Sequence, residues 1–450
     1  MTSFATLGLI APLCQAIEAL GYAAPTPVQS GAIPAVLAGR DVLAAAQTGT
    51  GKTAAFALPI IQRLSAIDTP VASNSIRVLV LVPTRELAEQ VCESFREYGS
   101  TLGVKSFAAY GGVSLNPQMM RLRRGVDVLV ATTGRLLDLL GRNALKLKQV
   151  DTLVLDEADR MLDLGFADEI TTLLQALHRK PQILLFSATF SPTIRTLADQ
   201  LLDDPASIEA SPANSTVKEV QQWIIPCDKK KKPQLFLHLL KRERWTQVLV
   251  FVKTRKGADE LTETLLGRDI RAEAIHGDRS QPSRLAALQR FKAGEVDVLV
   301  ATDVAARGLD IELLPHVVNF DLPTVAEDYI HRIGRTGRAG ASGEAISLVC
   351  ADEVDQLAAI ETLIGQTLPR EEQPGFEAEH RVPQTAPGGA VVKKPKKPKA
   401  SKAKALQGLA SASVGTKKPK PAAPPKASRP AAPPFGKRGP KPAGPKRSKA

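Results

Sequence analysis

The chain is expected to be an α/β protein of two tandem, doubly wound parallel-sheet domains followed by a basic tail that does not fold. Three observations predict this. Apolar runs of strand length, rich in Val, Leu and Ile and without polar alternation, alternate with amphipathic stretches through residues 20–365, as in strands covered on both faces. The run Val126–Thr132 (VDVLVAT) returns unchanged at Val296–Thr302, 170 residues on. Finally, residues 381–450 hold 19 Lys and Arg, 14 Pro and no Asp or Glu, a composition that cannot bury enough apolar surface to fold.

The charge is correspondingly uneven. The net charge of the 450 residues is +13. The first 380 residues alone carry 40 Lys and Arg against 46 Asp and Glu. A mildly acidic body with a cationic tail points to nucleic acid or another anionic surface as partner. Four scattered cysteines without a C-x-x-C pair indicate neither a zinc site nor a disulfide framework. The first basic residue is Arg40 and no apolar run approaches membrane-spanning length, so a cytoplasmic protein with no membrane partner is expected.

Taken in order, residues 1–30 lead into a first lobe over 31–208. Its first strand, Val42–Ala45, runs into Ala46-Gln47-Thr48-Gly49-Thr50-Gly51-Lys52-Thr53 and then a helical stretch. Strand, Gly-rich loop and helix in that order make a phosphate cradle. The glycines turn backbone N–H groups toward phosphate oxygens, Lys52 reaches the β- and γ-phosphates, and the Thr53 hydroxyl suits Mg²⁺. Strands follow at Ile76–Val82, Val126–Ala131, Val150–Leu155 and Ile183–Phe186, with a helix over Glu86–Tyr98. The strand ending at Leu155 delivers Asp156-Glu157-Ala158-Asp159 to a carboxyl edge, where such sheets bind ligands. Asp156 is placed to hold Mg²⁺ and Glu157 to activate the attacking water.

Leu202–Lys218, with its Pro, Asp, Ser and Asn, reads as the connection between lobes, the linker proper being 209–218. A second lobe over 219–370 repeats the first. Val78–Arg85 matches Val248–Arg255 at the same offset of 170, and Ala109–Gly111 parallels Ile275–Gly277. Nothing like Gly-Lys-Thr lies near position 216, so one nucleotide site is expected for two lobes. Residues 371–450 form the expected disordered tail.

These motifs together resemble the DEAD-box ATP-dependent RNA helicases, over residues 4–365. Phe4 and Gly21–Gln29 resemble the family's Q motif; Pro83–Ala88, Gly111-Gly112, Thr132–Arg135, Asp156–Asp159 and Ser187-Ala188-Thr189 follow in family order. The second lobe supplies Phe251–Thr254, His276–Asp278, Ala301–Asp310 and His331–Arg338. Ala46 is usual at the start of the family's loop, whereas Thr133 stands where Pro is usual. The finer likeness is to bacterial RhlE-type members.

The resemblance implies two RecA-like lobes that use ATP and Mg²⁺ and act on RNA, with ribosome-assembly or RNA-decay proteins as further partners. Lys52, Asp156, Glu157, Arg335 and Arg338 would be catalytic, the two arginines reaching across the cleft to the γ-phosphate. Tyr22 and Gln29 would meet the adenine, residues 46–53 the phosphates, and Asp303 the nucleotide from the second lobe. Thr53 and Asp156 would hold the metal. Ser187, Thr189, Asp159 and His331 would couple hydrolysis to lobe movement. RNA would run along Thr84, Arg85, Gly111, Gly112, Thr132 and Arg135, continuing over Thr254 and Thr302. That track also follows from the repeat, since Thr84 matches Thr254 and Thr132 matches Thr302 at strand ends. Hydroxyls and guanidiniums so placed hold backbone and carry little sequence information. Either a helicase that separates short duplexes or an ATP-gated RNA clamp would share these residues.

Overall fold

The structure, a computed structural model, describes residues 3–46, 49–188, 190–209, 220–306, 311, 314–337, 343–380 and 382–385. Its thirteen strands among these are β1 Val42–Ala45, β2 Ile76–Val82, β3 Ser106–Ala109, β4 Val126–Thr132, β5 Thr152–Leu155, β6 Gln182–Ser187 and β7 Ala206–Glu209 in the first lobe. The second lobe has β8 Val220–Pro226, β9 Val248–Phe251, β10 Ala272–Ile275, β11 Val298–Ala301, β12 His316–Asn319 and β13 Gly343–Val349.

The sheets run β3-β4-β2-β5-β6-β1-β7 and β10-β11-β9-β12-β13-β8. Every pairing is parallel. Apart from β7 the two orders are identical, β1 corresponding to β8 and so on through β6 and β13, so the lobes are two copies of one doubly wound fold. The apolar strands explain it: β2 and β5 are buried along their whole length, and in β4 the cores of the sheet's two faces alternate, with Val128 and Val130 in one and Leu129 and Ala131 in the other.

The repeat is less regular than a constant offset suggests. The strand matching β1 is β8, so the counterpart of the phosphate loop is Cys227–Lys232 and not the region of 216. Lys232 opens the helix Lys232–Glu243 as Lys52 opens the helix Lys52–Ser65, and Asp321 lies just past β12 as Asp156 follows β5. Lys232 Nζ lies 3.6 Å from Asp321 and 2.6 Å from Glu353, 1 % exposed. The second lobe thus keeps the Lys and Asp of a nucleotide site, with a glutamate carboxylate where a phosphate would otherwise give the lysine its counter-charge.

Three boundaries differ from the sequence reading. Residues 3–30 pack into the first lobe, Phe4, Leu13 and Val28 sharing its core. Part of the expected connection, Ala206–Glu209, is β7, which pairs with β1 and extends that sheet; a four-residue strand between Pro and Ser leaves little periodicity to read. Residues 210–218 of the linker, and residue 219, lie outside the described residues. The second lobe's packing also runs past 370. Arg370 donates to Val382 O at 3.1 Å and Pro383 O at 2.8 Å, and Val382 is buried. Charged, Pro-containing sequence hides such a strap because its few anchors are isolated. No described helix is long and apolar enough to cross a membrane.

Candidate functional site

The carboxyl ends of β1, β5 and β6 meet at one place because these strands are neighbours in the sheet. Ala46 N donates to Ser187 O at 3.0 Å, joining the start of the phosphate loop to the end of β6. Gly49 and Gly51 sit at φ +75° and +86°, conformations that favour glycine. A Cβ at Gly51 would fall on the Gln29 amide. Gln29 is fully buried, accepts from Thr26 N at 2.9 Å and donates to Gly51 O at 3.2 Å, while Thr26 Oγ1 donates to Thr50 O at 2.8 Å. The residue expected to read adenine therefore first ties the helix Pro27–Leu37 to the phosphate loop.

Lys52 is buried, yet its Nζ has no hydrogen-bond partner among the described residues. An unpaired buried ammonium is costly, and an incoming phosphate would supply the missing charge. Facing it, the Asp156 carboxyl is pushed up to about 6 by burial, against the pull of Lys52. Asp156 accepts from Glu157 N at 3.0 Å, and Glu157 takes a left-handed φ of 54°. That strained corner ends the strand and starts the helix Ala158–Asp163. Asp159 then accepts from Ala188 N at 2.9 Å, linking the acidic motif to the Ser187 segment. Lys52, an acidic pair and glycine-borne N–H groups fit a nucleoside triphosphate with its divalent cation.

These residues line a cleft of about 700 Å³ that also includes Tyr22, Thr53 and, from the second lobe, Leu285, Leu288 and Arg335. Arg335, 7 % exposed, is thus the far wall of the cleft whose near wall is Lys52, Asp156 and Glu157. Tyr22 is held by two aromatic neighbours, Phe4 and Tyr98, with ring centroids at 6.3 and 6.2 Å. The Tyr22 and Tyr98 hydroxyls are 2.8 Å apart.

The residues expected to form a nucleic-acid track stand at matching strand ends in the two lobes. Thr84 and Thr254 each cap a helix, accepting from Leu87 N at 3.3 Å and Gly257 N at 3.0 Å. The hydroxyl protons stay available as donors. The Arg85 guanidinium packs against Gly112, where a Cβ would collide with it; Arg255 likewise lies beside Gly277 but pairs with Asp278 at 2.6 Å. Thr132 begins the helix Thr133–Gly141, and Thr302 is the residue after β11, 8 % exposed. Arg135 donates to Val113 O at 3.0 Å and its Nε lies 3.6 Å from the Asp138 carboxylate.

Asp303 is placed differently from expectation. Both its oxygens are taken by Arg332, at 2.6 and 2.7 Å, and it is not among the cleft-lining residues. His331 lies 3.9 Å from Asp328. Gln47, Thr48, Thr189 and Arg338 lie outside the described residues.

Two family models match: the DEAD/DEAH box helicase over residues 26–197 and the helicase conserved C-terminal domain over 231–340. The chain belongs to the DEAD/DEAH box helicase family. Among its relatives is the DEAD-box ATP-dependent RNA helicase CshA of Geobacillus kaustophilus, 42 % identical over 377 residues, covering 84 % of this chain and 80 % of the relative. CshA of Bacillus subtilis is 40 % identical, with 83 % and 75 % covered. These names do not carry the RhlE-type placement. Saccharomyces cerevisiae Dbp5 bound to RNA and ADP BeF3 superposes with a TM-score of 0.73 at 32 % identity, covering 83 % of this chain and 96 % of that one. Mss116p bound to ssRNA and AMP-PNP gives 0.74 at 28 %, covering 83 % and 80 %.

In this DEAD-box chain the sequence reading missed the contact that joins the lobes. Glu86, 3 % exposed, accepts from Gln281 Nε2 at 2.7 Å and pairs with Arg284 Nη2 at 2.9 Å. Burial lowers the Arg284 pKa against the attraction of Glu86. Glu86 opens the helix behind Thr84-Arg85, and Gln281 and Arg284 lie one turn apart on Gln281–Lys292. The available signal was a polar pair at i, i+3 on an otherwise apolar helix face, Ala287, Leu288 and Phe291 being buried.

Proposed function

We propose that this chain is an RNA-stimulated ATPase and ATP-dependent RNA helicase that grips RNA backbone while its lobes are closed on ATP and opens short duplexes locally. The observation that carries the reading is the cleft with Lys52, Asp156 and Glu157 on one wall and Arg335 on the other. A site divided between two lobes works only when they meet.

Thr53 and Asp156 would hold Mg²⁺, which would supply charge neutralisation for the triphosphate. The glycine-borne N–H groups and Lys52 bind and orient the triphosphate. Glu157 accepts a proton from the attacking water, and Arg335, with Arg338, stabilises charge on the transferred group. Tyr22 and Gln29 hold the base side of the nucleotide. Asp159, through Ala188 N, passes the state of the acidic motif to the Ser187 segment. On the carboxyl edges, Thr84, Arg85, Thr132 and Thr302 hold phosphates and sugars, so recognition is of backbone. ATP turnover measured with and without saturating single-stranded RNA tests the proposal: it requires strong stimulation, and equal turnover would overturn it.

A further inference from the structure

The opposite, amino edge of the first lobe carries a second charged surface. Lys105 immediately precedes β3. Arg121, Arg123 and Arg124 close the helix Leu115–Leu122 and enter β4. Arg142, Lys146 and Lys148 lie between the helix Thr133–Gly141 and β5. All seven are exposed. The backbone brings their loops together: Asn74 N donates to Leu122 O at 3.1 Å, and Lys146 N donates to Asn74 O at 2.7 Å. Asp127 N donates to Lys105 O at 2.9 Å.

None of the seven side-chain charges pairs with a carboxylate among the described residues, only the Lys105 backbone N–H donating to Asp127 Oδ2 at 3.0 Å, although much of the remaining surface is paired, as at Arg40–Asp204, Lys180–Asp203 and Arg271–Asp297. The nearby carboxylate, Asp127, is occupied by Arg77 at 2.7 Å. A concentrated, unneutralised cationic surface on a body whose first 380 residues are net acidic attracts a polyanion.

We propose that this edge binds the phosphate backbone of double-stranded RNA flanking the segment held in the cleft, an inference that rests on RNA being the ligand of that cleft. The path is short. β3 is the edge strand, with Gly111 and Gly112 just past its carboxyl end and Lys105 before its amino end. The seven-residue β4 separates Thr132 from Val126 by about 20 Å at roughly 3.3 Å per residue, and Arg124 lies two residues beyond that end. RNA leaving the track at Thr132 therefore reaches the patch around the sheet edge. The surface has no exposed aromatic residue for stacking, and its one large exposed apolar side chain is Met120. Protein partners are anchored by Trp and Tyr together with Arg, and this surface offers no exposed aromatic side chain, whereas backbone binding needs only cations.

The test uses the full chain with Arg121→Gln, Arg123→Gln, Arg124→Gln and Lys146→Gln combined, titrated with a short single strand and with the same strand extended by a hairpin on either side. The hairpin-flanked RNA should bind on the order of tenfold more weakly at 0.1 M salt, with a log–log salt slope shallower by about 3. The bare strand should bind within twofold of wild type, with and without a non-hydrolysable ATP analogue. Lys146→Gln with Lys148→Gln should show a smaller loss of the same kind, and Arg242→Gln with Arg268→Gln on the other lobe none. Unchanged affinity for hairpin-flanked RNA overturns the proposal, as does an equal loss for both RNAs. Loss of an acidic protein partner with RNA binding intact would make the surface a protein site instead. Failure of wild type to bind the bare strand would sink the cleft reading, which the hairpin difference leaves separate.

Discussion

The contact among Glu86, Gln281 and Arg284 gives the sharpest quantitative expectation. When the lobes part, both charges return to water. When they close, Glu86 and Arg284 are 3 % and 8 % exposed and 2.9 Å apart. The intact pair roughly balances desolvation against attraction, but removing one member leaves the other buried without compensation, at about 3–5 kcal/mol. Glu86→Ala should thus lower the closed population by roughly 10²-fold to a few 10³-fold. The assay is affinity for a short single-stranded RNA with a non-hydrolysable ATP analogue, compared with affinity in its absence. Glu86→Ala and Arg284→Ala should each lose most of the analogue-dependent gain and keep the basal affinity. The double replacement Glu86→Leu with Arg284→Leu should recover to within about tenfold of wild type, since neither charge is then stranded. A single variant costing less than about fivefold, or a double variant as poor as the sum of the singles, would refute the reasoning.

Further expectations concern the cleft. Glu157→Gln keeps shape and hydrogen bonding but removes the base, so it should bind ATP analogue and RNA normally and turn over on the order of 10²-fold more slowly or worse; normal turnover would move the base elsewhere. Tyr22→Phe, Tyr98→Phe and the double variant each remove the same hydroxyl contact. All three should weaken fluorescent ADP binding by a similar factor of about 2–10, and additive losses would contradict that pairing. Asp156 has a folded pKa of about 6, above the unfolded value near 4. The fold therefore holds that proton more tightly, and the stability this gives is present below about pH 4 and lost as pH rises through about 6. Nucleotide-free Asp156→Asn should lack this dependence and melt roughly 5–10 °C above wild type at pH 7.5; a melting difference that does not change with pH would count against it.

What could be read in the sequence was local. The loop Ala46–Thr53 and the run Asp156–Asp159 each sit within a few residues of their strand, and one period of strand and helix places them. The duplication was legible because Thr84 and Thr254, and Thr132 and Thr302, follow nearly identical strands. Contacts between distant residues were not. Glu86 lies inside a motif that could be named, but its partners are 195 residues away and nothing in Gln281-Pro282-Ser283-Arg284 announces which surface it meets. The likeness to the Q motif is what assigns Gln29 to adenine; that its amide is also spent on Thr26 and Gly51 depends on loop geometry. Lys232 looked like one of four consecutive lysines, yet it alone is turned inward to Asp321 and Glu353.

The central claim is that nucleotide and RNA are bound by one site completed when the lobes meet, and reciprocal linkage tests it most directly. The factor by which a non-hydrolysable ATP analogue tightens RNA binding must equal the factor by which RNA tightens analogue binding. Both should be measured on the full chain at one salt concentration. The account predicts two equal factors, each tenfold or more. Factors near one would contradict it, showing two ligands held independently on lobes that need not close.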